Sequence, residues 1–261
     1  MKPPSITSTS TSVGAHILSG NVFDPRAIEE LLPGQDWKSE LLEQQSSHAT
    51  PVKKDEFLLL TKDSSYEIPG FLLPKQLHND GNYVISLRQL CRYLGTKAEE
   101  MGVEIYAGFA ASEVLFNDDK TAVKGIATRD MGIGKDGKPK ETFERGVELH
   151  ARQTLFAEGA RGSCSESLIS HFNLREGKST QTFGLGIKEV WEIPEENFKP
   201  GLVQHTLGYP LQSTWNDKTF GGTFLYHQEP NLVHGEYIIN ICICIVLYFI
   251  LASSSSIFVA S

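Results

Sequence analysis

The chain has 261 residues, 40% of them apolar, and a formal net charge of −8. That length fits one large domain or two small ones around a sizeable core. The acidic balance, with no Lys/Arg cluster to offset it, excludes a nucleic-acid phosphate backbone as partner.

In chain order, "MKPPSITSTSTSV" is Ser/Thr-rich. It lacks the apolar run of a secretory signal and the arginines of a mitochondrial presequence, so residues 1–13 are expected to form a disordered leader. "DPRAIEELLP" predicts a short helix with Asp24 as N-cap, Pro25 at the first helical position and Pro33 as its stop. Residues 34–66 are polar and poorly patterned apart from a strand predicted over Glu56–Lys62. "EIPGFLLPKQLHNDGNY" reads as a loop that carries Phe71, Leu72 and Leu73 together.

The clearest helix begins at Ser86, which forms a capping box with Gln89. Its apolar stripe is Leu87, Leu90, Cys91, Leu94, Ala98 and Met101, and Gly102 suits the position just past its end. Strands are predicted at "VEIYAGF", "ASEVLFN" and "AVKGIATR". Asp136-Gly137 signals a hairpin, and "VELHARQTLFAEG" supplies the returning strands. The order predicts an α/β (α+β) protein with a mixed sheet. The second half is richer in strands, with long ones at "TFGLGIKEVWEI" and "FGGTFLYHQ".

The four cysteines, Cys91, Cys164, Cys242 and Cys244, show no C-x-x-C pair. Their spacing supports neither a zinc nor an iron–sulfur site, and they read as small buried hydrophobes in a reducing compartment. No G-x-G-x-x-G follows a strand, and no nucleophile–His–Asp set or pair of catalytic carboxylates stands out.

Three segments could carry chemistry. In "LFAEGARGSCSESL" a strand ends at Phe156, Gly159 and Gly162 allow close backbone approach, and a helix start offers N–H groups to an anion. A plain turn, with Arg161 as a solvated charge, is the alternative. In "GAHILSG" two glycines bracket a loop that could lie against a flat ligand, or be an ordinary loop. His16 has no acid–base partner by spacing. In "FGGTFLYH" the Gly221-Gly222 pair requires either a bulge or a closely approaching ligand; His227 reads as a packed histidine.

These segments, in this order, resemble the electron-transfer flavoprotein–ubiquinone oxidoreductase family from about Val13 to about Pro230. The resemblance includes "KAEEMGVEIYAGFAASEVLF", "MGIGKDGKPKETFERGVELHA", "FAEGARGS", "GIKEVWEI", "HTLGYPL" and "FGGTFLYH". It implies a partial FAD-binding domain of the glutathione-reductase-like type over 14–175, with an inserted β-rich quinone-binding domain, also partial, over 176–230. It also implies a monotopic enzyme of the mitochondrial inner membrane, in contact with its lipid surface. Such an enzyme takes electrons from reduced electron-transfer flavoprotein through a 4Fe-4S cluster and FAD, and reduces ubiquinone. Carried onto this sequence, the flavin-facing residues are Gly14, Ala15, His16, Ser19 and Gly20, with Gly159, Arg161 and Gly162. Gly221 and Gly222 are those against which the quinone head packs.

The family's G-x-G-x-x-G unit and its four cluster cysteines have no counterpart in these residues. The chain is therefore expected to be an internal portion of the enzyme, inactive alone, with 231–261 as a tail outside the family. Two alternatives are a non-enzymatic membrane-associated fragment and another flavoprotein of the same superfamily, similar to geranylgeranyl reductase. Within the tail, Ile241–Ala252 gives twelve uninterrupted apolar residues, short of the roughly 17–25 that span a bilayer.

Overall fold

A computed structural model of the chain describes residues 5–8, 12–17, 20–181, 183–211, 219 and 221–241. Cys242, Cys244 and the apolar run beyond Ile241 lie outside the described residues. In chain order the elements begin with β1 (Ser5–Ser8), β2 (Asn21–Phe23), α1 (Arg26–Leu31), α2 (Trp37–Gln45), β3 (Thr50–Pro51), β4 (Lys54–Leu60) and β5 (Ser65–Glu67). Then come β6 (Tyr83–Ile85), α3 (Leu87–Glu100), β7 (Glu104–Ala107), β8 (Ala111–Phe116), β9 (Val123–Thr128), β10 (Met131–Ile133), β11 (Pro139–Glu144) and β12 (Glu148–His150). The last are α4 (Ser163–His171), β13 (Phe183–Glu192), β14 (Leu202–Gly208), β15 (Gly221–Gln228) and β16 (Leu232–Ile241). They fall into two compact units, one of Met1–His16 and Leu94–Thr180 and the other of Ile17–Tyr93 and Gln181–Ala260.

The second unit is built on a six-stranded sheet of order β13-β16-β15-β14-β4-β5, antiparallel except where β14 runs parallel to β4. The quinone sheet was expected to lie within 176–230, but β4 and β5 join it from far upstream and β16 extends it to Ile241. A three-stranded sheet, β2-β6-β3, supplies Val84, which is buried with Val203 and Tyr226. Trp37, 2% exposed, meets Phe23 and Tyr83 edge-on at 5.8 and 5.7 Å.

Helix α2 was not predicted. Of its residues only Trp37 and Leu41 are buried, an i,i+4 pair too thin to register as an apolar stripe. Its start is nonetheless capped, since Asp36 accepts hydrogen bonds from Ser39 N at 3.3 Å and Ser39 Oγ at 2.7 Å. Helix α1 begins one residue later than predicted, at Arg26, whose N–H donates to the Asp24 carboxylate. Helix α3 follows its prediction, with Gly102 at φ +86°. Met101 is 79% exposed rather than part of the stripe, and fully buried Tyr93 takes the inner face, its hydroxyl donating to Glu40 Oε2 at 3.0 Å.

In the first unit, β8, β9 and β12 form an antiparallel sheet, and β10–β11 is the predicted hairpin, closed at Gly134 and Gly137. Two expectations fail here. Ser5–Ser8, placed in a disordered leader, pair in parallel with β7 and satisfy the polar backbone groups of that edge. The strand predicted to run through Phe156 is absent. Residues 151–159 have no ladder partner among the described residues, and Leu155 is 95% exposed.

Candidate functional site

The alternation of side chains along strands places every second residue on one face. The ladder register therefore lines up three neighbouring rows across the sheet of the second unit. One row is Asp55, Val203, Tyr226, His234 and Val190; the next is Phe57, His205, Phe224, Glu236 and Lys188. In the third, Leu207 and Ile238 alternate with Gly222 and Gly186. Missing side chains in that third row leave a depression walled by the aromatic second row.

A pocket of about 380 Å³ occupies this place, lined by Phe57, Phe183, His205, Leu207, Phe224 and Ile238 over the backbone of Gly184, Gly221 and Gly222. Thr206 and Thr223, bonded to each other through their hydroxyls at 2.6 Å, complete it. Such an apolar cavity with few polar groups suits a ligand with limited hydrogen-bonding capacity.

The two predicted glycines thus lie in the floor of the pocket. The β15–β16 ladder runs unbroken from Gly221 to Gln228, so the pair does not mark a bulge there. A Cβ on Gly222 would overlap the Thr206 carbonyl oxygen, and one on Gly221 the Ile238 carbonyl oxygen. Neighbouring strands therefore already require glycine at both positions.

Polar groups surround the aromatic row. His205 Nε2 lies 2.9 Å from the Tyr226 hydroxyl, and its Nδ1 is 4.0 Å from Asp55 Oδ1. Asp55 Oδ2 accepts bonds from Asn79 N and Nδ2. Burial lowers the His205 pKa, with Asp55 opposing; burial raises that of the Tyr226 phenol, aided by Glu236 and Asp55. Lys188 donates to the Gly20 carbonyl and lies over the Phe224 ring at 5.4 Å. Its pKa is lowered by burial despite Glu236, whose own is raised by burial despite Lys188. His227 is a packed histidine as predicted: it is buried, its Nδ1 accepts from Lys199 N, and burial and then Lys199 lower its pKa.

The predicted flavin-facing residues divide between the units. Gly14, Ala15, His16, Gly159, Arg161 and Gly162 fall in the first, and Gly20 in the second; Ser19 lies outside the described residues. Gly14 is buried at φ +77° in a turn, and His16 is exposed. Gly20, at φ +84°, faces the His234 ring.

At the start of α4 the protein supplies its own anion. Glu158 Oε2 accepts from Ser165 N at 2.7 Å and Ser165 Oγ at 2.8 Å, and Oε1 accepts from Cys164 N at 3.3 Å. Burial pushes the Glu158 pKa up, but these bonds from Ser165 and Cys164 hold it below the usual carboxylate value. A Cβ on Gly162 would overlap Glu158. This helix start therefore does not fit a phosphate, because a carboxylate already takes its N–H groups.

Nor do the described residues fit a metal cluster. No group of three or more His, Cys, Asp or Glu among them could hold an ion, and Cys91 and Cys164 sit on separate helices. No helix of the described residues is long and apolar enough to cross a membrane.

Residues 183–245, which carry the pocket's β13, β14, β15 and β16, match the family model described as "ETF-QO, ubiquinone-binding". Three relatives named electron transfer flavoprotein-ubiquinone oxidoreductase extend the match upstream. That of Dictyostelium discoideum is 53% identical over 86% of this chain and 35% of its own length. That of Arabidopsis thaliana is 54% identical over 85% and 33%, and that of Pseudomonas aeruginosa 48% over 88% and 40%. The chain belongs to the electron transfer flavoprotein–ubiquinone oxidoreductase family. It spans between a third and two-fifths of these relatives' lengths. The family match continues past residue 230, through β16 to residue 245, and so takes in the first part of the segment expected to lie outside it.

Among solved structures, a flavin-dependent halogenase from Xanthomonas campestris superposes with a TM-score of 0.57 over 99% of this chain and 55% of its own, at 8% identity. A geranylgeranyl bacteriochlorophyll reductase-like protein from Thermoplasma acidophilum gives 0.55 over 89% and 49%, at 11% identity. Identity that low leaves the fold alone as what is shared, a mixed α/β architecture.

His205, Phe57 and Tyr226 were not singled out from the sequence. Their convergence depends on β4 pairing with β14 across nearly 150 residues, for which local pattern carries no signal.

Proposed function

We propose that this chain forms the ubiquinone-binding part of an electron transfer flavoprotein–ubiquinone oxidoreductase, with the quinone ring lying over Gly221 and Gly222. The observation that carries this reading is the apolar pocket itself, lined, apart from Phe57, by the segment that matches a ubiquinone-binding family. Phe57, Phe224 and Leu207 would wall the ring, and the open side would admit an isoprenoid tail.

In the full reaction, electrons from reduced electron-transfer flavoprotein would pass by way of FAD and a 4Fe-4S cluster to ubiquinone. FAD would be met by Gly14, Ala15, His16, Ser19 and Gly20, and by the turn at Gly159, Arg161 and Gly162; bound there it supplies the hydride and single-electron chemistry of its ring. Since the start of α4 is filled by Glu158, the pyrophosphate would need N–H groups from elsewhere, and the cluster would need ligands beyond the described residues. The chain alone is accordingly proposed to bind quinone without turning over. The mitochondrial inner membrane is the proposed location, as the names of several relatives carry that organelle. Lipid contact is proposed at the turn holding Phe71 and Leu72, which are 86% and 65% exposed.

Binding of a short-tailed ubiquinone, followed by quenching of intrinsic fluorescence, tests the reading. The wild-type chain is expected to saturate, and Leu207→Trp, which fills the pocket, to lose binding with its circular dichroism unchanged. A folded wild-type chain that fails to bind, or an L207W variant that binds equally well, overturns it.

A further inference from the structure

Strand β13 ends the six-stranded sheet of the second unit: β16 pairs with it on one side, and among the described residues no strand pairs on the other. The ladder shows which backbone groups face the open side. Ile193 N donates to Asn231 O, in step with the β13–β16 register, so by alternation Trp191, Glu189 and Ile187 exchange their bonds with β16. The N–H and C=O groups of Lys188, Val190 and Glu192 therefore point outward, where nothing among the described residues bonds them. Beside them Ile187, Val190 and Trp191 are 49%, 51% and 58% exposed. The opposite edge, β5, is blunted by its length of three residues. Strand β13 runs for ten, with no proline and no bulge. A long, regular edge with apolar side chains is a template for another strand.

We infer that this edge takes the β13 strand of a second copy of the chain, antiparallel about a two-fold axis at Val190. Such an interface must be self-complementary, because each copy offers the same patch. Residues opposite each other in an antiparallel pair share a face and interact directly. An axis at Val190 sets Lys188 opposite the copy's Glu192, a pair of opposite charge, and Glu189 opposite the copy's Trp191. On the same face as Trp191, Ile187 meets the copy's Ile193. The outward N–H and C=O of Val190 bond reciprocally with those of the copy, and those of Lys188 with those of Glu192. The neighbouring registers are poorer. An axis at Glu189 faces that carboxylate with itself, and one at Lys188 does the same with the ammonium. An axis at Trp191 places Pro194, which has no N–H, opposite Lys188. One further back uses the half of the strand where Gly186 is buried and Phe183 lines the pocket. In the chosen register the Lys188 ammonium stays on the Gly20 carbonyl, and Glu192 of the copy brings a negative charge towards it. The sheet then runs on through both copies, and the inference is independent of what the pocket holds.

Sedimentation velocity of the full chain over a concentration series tests the association, and cysteine cross-linking tests the register. A single strand-to-strand contact is small, so the wild type is expected to pass from monomer to dimer with a Kd on the order of 10 µM. Glu192→Lys puts like charges across both outer pairs and should weaken the dimer about tenfold or more. Opposed residues of a bonded antiparallel pair have Cα atoms about 5.5 Å apart, within disulfide range. Val190→Cys should therefore cross-link to a covalent dimer under mild oxidation, well beyond the wild type treated alike. Glu192→Cys, whose counterpart in the copy is Lys188, should not. Both positions are exposed, and circular dichroism checks that each variant folds. A wild-type chain that stays monomeric far above that Kd overturns the inference. So does a dimer that E192K leaves unchanged, or one that E192C cross-links as readily as V190C, since the copies would then meet elsewhere or in another register.

Discussion

Gly20 and His234 occupy one space: a Cβ on Gly20 would sit inside the imidazole ring of His234, which is 2% exposed. The glycine is also held at φ +84°, a conformation other residues adopt only with strain. Its carbonyl receives the Lys188 ammonium, so the loop is tied to β13 and β16 of the same unit. Gly20→Ala is expected to destabilise this unit by roughly 2–4 kcal/mol, the strain and the displaced ring acting together. Urea unfolding followed by circular dichroism measures this. A loss below about 0.5 kcal/mol, the scatter of ordinary surface substitutions, would mean that the ring swings aside freely.

The same histidine sets a pH dependence. Burial, and then Lys188, push the His234 pKa down from 6.5 to about 4, and its Nε2 is paired with Gln228 Oε1 at 2.8 Å. Between those two values the unfolded chain binds a proton that the folded chain refuses. Stability therefore falls as pH drops from about 6.5 towards 4, by at most about 1.4 kcal/mol per pH unit. His234→Gln should flatten that part of the curve, at the expense of some stability at pH 7. Unfolding midpoints across the window decide it; an unchanged slope in the variant assigns the effect to another group.

How much of this could be read from the sequence depended on how local the determinants were. The striped helix α3, the Asp136-Gly137 hairpin and the long strands β13 and β15 follow from neighbouring residues, and they were predicted. Helix α2 escaped because two buried side chains suffice to dock it. The Gly221-Gly222 pair was recognisable as unusual, but its cause lies in the carbonyls of Thr206 and Ile238 on other strands. The aromatic row through His205 exists only once four strand registers are fixed. The α4 start, legible only as a possible anion site or a plain turn, stayed open for a related reason: whether Glu158 points at the helix start or into solvent is set by the turn at Gly159 and the close approach of Gly162, not by composition.

Glu158 itself yields a prediction. Its carboxylate caps α4 from outside the helix, as an N-cap side chain would. Glu158→Ala is expected to cost about 1 kcal/mol, seen as lost helical ellipticity and a lower unfolding midpoint. Its folded pKa lies below the ordinary 4.5, so its contribution is present above that value and disappears as pH falls through the lowered folded value. The E158A variant should therefore lose less stability on acidification than wild type. If instead added phosphate stabilises the wild-type chain and E158A equally, the helix start is not carboxylate-filled in solution.

The 70–77 turn makes the last case. Two short 3₁₀ turns, Gly70–Leu72 and Lys75–Leu77, follow Pro69 and Pro74 and leave Phe71, Leu72 and Leu77 exposed, with Lys75 among them. Proline before each turn fixes its own φ and so restricts the chain at the entry to each turn. Burying one such side chain in a lipid headgroup boundary contributes on the order of 1.5–3 kcal/mol, and Lys75 would favour anionic lipid. Co-sedimentation with vesicles containing cardiolipin should therefore fall at least tenfold in the Phe71→Ser/Leu72→Ser double variant. It should fall by less when Lys75 alone becomes Gln, and that smaller loss should vanish in high salt. Equal vesicle binding by wild type and the double variant would place any lipid contact elsewhere on the chain.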